Sequence, residues 1–275
     1  MKKLILIIPF CLLVLSSCNF PLINSATVSA SEVSTRVAQT LQAAANTSNP
    51  TVTNQPVIPL GTTTPTKTAI ITPTATTSPD DPRLTLGSPT FTDSFTSGSG
   101  MGLKTPYSDG AITMSIENGG LLMVNNQANA GIRWRLEYLT PRNFYLEGTF
   151  KTITCSGSDF YGLVSRSPNY TDGVGYYFGI SCAGQYSFMR YDGSNLNTII
   201  DWTSDPALIT GENQENRIGI MFKDDQMTLY INGKLIQEAS NDVLKLKGHY
   251  GVFQSAIDNP TMTVEVEEIN EWDLP

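Results

Sequence analysis

The chain has 275 residues and a net charge of −8, but these averages hide two unlike parts. Residues 1–88 hold five basic and three acidic side chains, a net +2, so residues 89–275 carry −10; 23 of the 25 aromatic residues follow residue 88, whereas nine of the sixteen prolines precede Pro89. Only the second part can bury a core, and its negative charge opposes a phosphate backbone or an anionic lipid surface, so no nucleic-acid partner is expected.

Met1-Lys2-Lys3 is followed by a 12-residue apolar run that reaches Leu15, the pattern of a secretory leader and too short to span a bilayer about 30 Å thick. The next residues, Leu15-Ser16-Ser17-Cys18, resemble the lipobox of bacterial lipoproteins. That resemblance implies a signal peptide over residues 1–17, removed on export, and acylation of Cys18 with chains of the palmitate kind. It implies a chain held on the extracytoplasmic face of a membrane by lipid, each buried methylene adding about 0.8 kcal/mol.

Residues 18–88 read as a tether. A short helix is expected over 31–45, where Ser31 offers an N-cap and Val33, Val37 and Leu41 recur every fourth residue. From Asn46 onward the chain is rich in Thr, Pro, Ser and Asn; residues 61–80 alone contain nine threonines and three prolines. Such a stretch buries too little apolar surface to offset the entropy of ordering. Its 43 residues to Ser88 could reach about 140 Å when fully extended.

Past residue 88 the pattern changes to alternation, with turns every 8 to 12 residues. Residues 217–236, RIGIMFKDDQMTLYINGKLI, show it best. Ile218, Ile220 and Phe222 face one way, and Met227, Leu229 and Ile231 return on the same face. Asn232-Gly233 is the type I′ pair that leads into a third strand. Eleven further strands are expected, at 90–95, 112–117, 121–125, 131–138, 144–153, 160–166, 175–181, 185–191, 197–202, 249–254 and 262–269. Fourteen strands exceed one ordinary open sheet, so residues 89–275 are expected to form a two-sheet antiparallel sandwich. Cys155 and Cys182 end two of the strands. In an exported chain they are expected to form a disulfide, closing a 27-residue loop and stabilising the fold by about 3 kcal/mol.

The succession FTDSF, ENGGLLM, IRWRLEY, FYLEGTFKTI, DFYGLVSR, YYFGISCAGQYSFMRYDG, the 217–236 meander and EEINEWDL resembles the concanavalin A-like lectin/glucanase superfamily, especially its LamG-like and 3-keto-glycoside-hydrolase-like members. The resemblance spans nearly all of residues 90–274. It implies an all-β jelly roll whose concave face receives sugars, and it carries no activity by itself.

The sequence offers little for catalysis. His249 is the sole histidine, and no Gly-x-Ser-x-Gly elbow accompanies it, which leaves a structural role. The Glu-x-Asp-x-x-Glu of the glucanase branch is absent: the acidic run at 265–271 has Asn270 at the third position, and alternation turns Glu265 and Glu267 to solvent. No cofactor is expected. A structural calcium ion, common in the superfamily, has only the loop residues Asp172 and Asp258 as candidate ligands.

Sugars are held by aromatic rings with polar side chains beside them. Trp134 between Arg133 and Arg135, Tyr145, Tyr177, Arg190, Tyr191 and Trp202 are the carbohydrate-binding candidates. An Ala183-Gly184 turn would pair Tyr177 with Arg190 and Gly179 with Phe188, setting Tyr177 and Arg190 on one face. The expected function is therefore non-catalytic binding of a polysaccharide or cell-envelope glycan by a lipid-anchored, surface-displayed domain. The alternatives are a glycoside hydrolase of the keto-sugar-hydrolase-like kind and a protein-binding or structural envelope domain.

Overall fold

A computed structural model describes residues 77–96 and 100–275. The signal peptide, Cys18, the helix at 31–45 and the tether up to residue 76 lie outside the described residues. Those described form one helical turn, α1 (Arg83–Leu86), and fifteen strands: β1 (Phe91–Asp93), β2 (Tyr107–Ser108), β3 (Ile112–Glu117), β4 (Gly120–Asn125), β5 (Arg133–Leu136), β6 (Phe144–Thr154), β7 (Phe160–Ser167), β8 (Gly175–Ser181), β9 (Gln185–Tyr191), β10 (Leu196–Ser204), β11 (Glu215–Lys223), β12 (Gln226–Ile231), β13 (Lys234–Ser240), β14 (His249–Ser255) and β15 (Thr263–Asp273).

The strands build two antiparallel sheets, a jelly-roll sandwich. The larger runs β13-β12-β11-β6-β15-β4-β3-β2, with β1 paired to the far end of β15; the smaller runs β10-β9-β8-β7-β14-β5. The meander folds as its alternation requires: Ile218 pairs with Ile231, Ile220 with Leu229 and Phe222 with Met227. All six are buried in the space between the sheets. Asn232 and Gly233 both have positive φ, as the type I′ turn demands. From the opposite sheet Leu163, Tyr176, Phe178, Ile180 and Phe188 fill the same core. The Cys155–Cys182 disulfide is present, its Cα atoms 5.5 Å apart, tying the end of one sheet to the other.

Strand β15 holds the larger sheet together because it is long enough for two partners on one side. Residues 263–266 pair with β4 and residues 269–271 with β1, while β6 lies along its other edge. A register shift between Val266 and Glu268 leaves Glu267 out of the ladder. The extra residue restores the inward phase, so Val264, Val266 and Ile269 all reach the core. Glu271, next in that phase, is carried inside as well and is 3% exposed.

The folded body begins before Pro89, its expected first residue. Residues 81–87 lie across the outer face of the larger sheet, where Asp81 is 4% exposed and its Oδ2 is 2.6 Å from Nη2 of Arg217. Arg83 pairs with Glu147, and Trp272 Nε1 donates to the carbonyl of Gly87 at 3.0 Å. Thr-Pro composition hid this strap, because its anchoring residues, Asp81 and Arg83, meet partners far away in sequence.

Candidate functional site

The outer faces of the two sheets receive the aromatic candidates unequally. On the larger sheet Tyr145 is fully buried beneath the strap, against Tyr230 and Trp272. Its hydroxyl donates to Glu147 at 2.8 Å and fits there because residue 219 is glycine; a Cβ at that position would come within 2.3 Å of it. Tyr145 therefore has no face to offer a sugar. The strap that covers that side was not foreseen in the sequence.

On the smaller sheet the outer face is paved with rings. Trp202 meets Phe160 edge to face at 5.4 Å, Phe160 meets Phe253 at 5.8 Å, and Phe253 meets Tyr177 at 5.0 Å. Small residues make room for this row: a Cβ on Gly179 would press on Phe253 and Phe160 at 3.1 and 3.3 Å. Tyr177 lies within the pavement, 1% exposed, and its hydroxyl donates to the carbonyl of Gly173 at 2.6 Å. Burial pushes that phenol above its ordinary range.

The pairing expected for Tyr177 and Arg190 is wrong by one residue. Tyr177 pairs with Met189 and Gly179 with Ser187, while Arg190 pairs with Tyr176 on the core-facing side. The turn takes in Cys182 as well as Ala183 and Gly184, and a slip of one residue exchanges the two faces of a strand. Arg190 is therefore turned away from Tyr177. Trp134, Tyr177, Tyr191 and Trp202 share the outer face, as one cluster of aromatic and aliphatic side chains.

Open space on this side gathers around Trp134. One pocket of about 290 Å³ brings together Trp134, Tyr177, Tyr191, Ile132, Leu196 and Asp172. A second, of about 300 Å³, is bordered by Trp134, Tyr170, Tyr107, Asp109, Arg133 and Arg135. A third, of about 360 Å³, lies between Trp134, Tyr170, Arg135 and the Gly100-Met101-Gly102 segment. Trp134 borders all three, and Tyr170 two of them. Edge strand β5 presents Trp134 at a position directly across from Phe253 of β14, which sets the indole on the outer face. The ring rests on Gly173, where a Cβ would come within 2.7 Å of it.

Tyr170 was not singled out in the sequence, and neither was Tyr107. Tyr170 is 51% exposed at the tip of a polar turn, with only its aromatic character in a loop to mark it. That loop is well built. Asn169 Oδ1 accepts from the backbone N–H groups of Thr171 and Asp172, and Asn169 Nδ2 donates to Asp172 at 2.6 Å. Beneath it the His249 ring lies 4.1 Å from that of Tyr170, with its Nδ1 3.0 Å from the carbonyl oxygen of Glu137. The sole histidine thus pins the loop to the sandwich.

The acidic groups bordering these hollows are engaged. Asp109 accepts from Arg133 Nε at 2.6 Å and from the backbone N–H groups of Ala111 and Ile112, which together hold its carboxyl below the ordinary range against the opposing effect of burial. Asp172 closes the Tyr170 loop by accepting from Val174 N–H. Asp258, on another loop, accepts from Ser158 N–H at 2.6 Å. The two calcium candidates thus serve as turn acceptors on separate loops. Among the described residues no group of three or more His, Cys, Asp or Glu side chains could hold a metal ion.

The sequence matches no protein-family description and no curated protein. Solved structures do resemble the fold. A carbohydrate-binding module, CBM66, of Bacillus subtilis superposes with a TM-score of 0.50 at 15% identity, covering 62% of this chain and 94% of its own. A protein of unknown function with a galectin-like fold, also from Bacillus subtilis, gives 0.52 at 14% identity over 68% and 96%. At these identities the likeness establishes the galectin-like sandwich fold and leaves the chemistry to the residues.

Proposed function

We propose that this domain binds carbohydrate without catalysis, in the hollows on either side of Trp134. The observation that carries the reading is the placement of one partly exposed indole against three adjoining hollows, two of them shared with Tyr170. Flat rings beside hydrogen-bonding groups suit the C–H faces and hydroxyls of a pyranose. Hydrolysis of a glycosidic bond needs two carboxyl groups free to face the bond from either side. Asp109 is held by Arg133 and Asp172 by its own loop, which favours binding alone. A carbohydrate-binding module among the structural neighbours adds support.

Trp134→Ala should weaken binding of any bound glycan at least tenfold in isothermal titration while the protein remains folded. Unchanged affinity would remove the site, and reducing-sugar release from a polysaccharide panel would overturn the non-catalytic reading.

We further propose that Cys18 carries lipid and moors the domain on the extracytoplasmic face of a membrane. Cys18→Ser should move the protein from the membrane fraction to the soluble fraction; retention would refute the anchor.

A further inference from the structure

The two arginines flanking Trp134 are in different states. Arg133 is engaged: its Nε donates to Asp109 at 2.6 Å and its Nη1 to the carbonyl of Ala130 at 2.6 Å. Arg135 lies with its guanidinium 3.7 Å above the centre of the Tyr107 ring, and its side chain makes no hydrogen bond or ion pair with any described residue. Its Nε is buried without a partner. Arg135 nevertheless borders two of the three hollows, beside Trp134 and Tyr170. The Asp109–Arg133 pair cancels, so Arg135 is the one uncompensated charge among the residues bordering those two hollows.

We infer that the groove selects glycans bearing a carboxylate, a uronic or nonulosonic acid, and that Arg135 takes that group while Trp134 stacks on a sugar ring. This deepens the carbohydrate-binding reading and rests on it. Stacking on Tyr107 holds the guanidinium plane still and leaves its edge for the paired hydrogen bonds that an arginine fork makes to a carboxylate. The −10 charge of residues 89–275 narrows the ligand further. A densely anionic polymer would be repelled, whereas one carboxylate set among neutral sugars meets the local cation within a screening length of about 8 Å.

The test is titration of the protein with matched pairs: a glucuronic-acid-substituted xylo-oligosaccharide against its methyl ester and its unsubstituted parent, and sialyllactose against lactose. In at least one pair the acid should bind tenfold or more tighter than its neutral counterpart. Arg135→Gln should bring that ratio close to one, Arg135→Lys should keep only part of it, and melting curves should verify that both variants fold. Esters or neutral parents that bind as well as the acids, or a ratio that survives Arg135→Gln, would overturn the inference and leave glycan binding standing. Absence of binding to acids and neutral sugars alike, on these probes and on a broad glycan array, would bring down both readings.

Discussion

Two buried glutamates, one behind each outer face, show how differently the two sides of the sandwich are finished. Glu147, 1% exposed beneath the strap, has Arg217 and Arg83 as ion-pair partners and the Tyr145 hydroxyl as a donor. Burial raises its pKa and the two arginines oppose that rise. Glu137, fully buried just past the end of β5 behind the Trp134 hollows, has no cation among the described residues. Its polar neighbours are the Asp93 carboxyl and the backbone N–H of Tyr138. Desolvation first, and the hydrogen bond and charge of Asp93 second, push Glu137 from its ordinary 4.5 up to about 8. With its pKa raised to about 8, its carboxyl keeps its proton at neutral pH beside the Asp93 carboxyl. The larger sheet is sealed by complementary charge, whereas the smaller sheet keeps its outer face open and neutralises the carboxyl behind it with a proton.

The largest expected effect follows from that proton. The folded protein keeps it up to about pH 8, whereas the unfolded chain gives it up near 4.5, so between those values the folded state binds more protons and stability falls as pH rises. Glu271, raised to about 7 by burial and by Asp273, acts in the same direction. Urea unfolding should show a loss on the order of 4 kcal/mol from Glu137 between pH 4.5 and 9, at 1.4 kcal/mol per pH unit of separation. Glu137→Gln should remove most of that slope; a slope unchanged in the variant would contradict the contrast between the two glutamates.

Next in size is the seal itself. Arg217→Met takes away the cation facing Asp81 and one of the two facing Glu147, and should cost about 3 kcal/mol in urea unfolding, since breaking a buried pair strands a charge. A cost under about 1 kcal/mol would mean that the strap is an exposed addition. The smallest effect belongs to the open face: Tyr177→Phe leaves the ring row intact and removes only the hydrogen bond to Gly173, for about 1 kcal/mol. Because Gly173 also supports Trp134, the same variant should weaken glycan binding by a few-fold.

The strand order along the chain was legible because alternation is local. β3, β8 and β9 fall where the apolar period ends them, and only the two-residue β2 went unseen. The face assignment within the meander was also right: Ile218, Ile220 and Phe222 pair with Ile231, Leu229 and Met227. At Gly184 the turn is longer than the dipeptide suggested, and Arg190 moved to the other side of its strand. Trp134 was recognisable as an aromatic candidate, but its importance comes from Tyr107, Tyr170 and the Gly100 segment, brought beside it by other strands and loops.

Composition and alternation alone separated a Thr/Pro-rich leading stretch from an all-β body, chose two packed sheets over one and joined Cys155 to Cys182, because these depend on residue type and on a period of two. Which rings are covered and which arginine is left without a carboxylate depended on where residues 81–87 and the 169–174 loop come to rest. Such contacts join positions up to 185 residues apart, as when Arg83 or Gly87 meets β15. A local pattern carries no information about them, so only the folded chain could decide them.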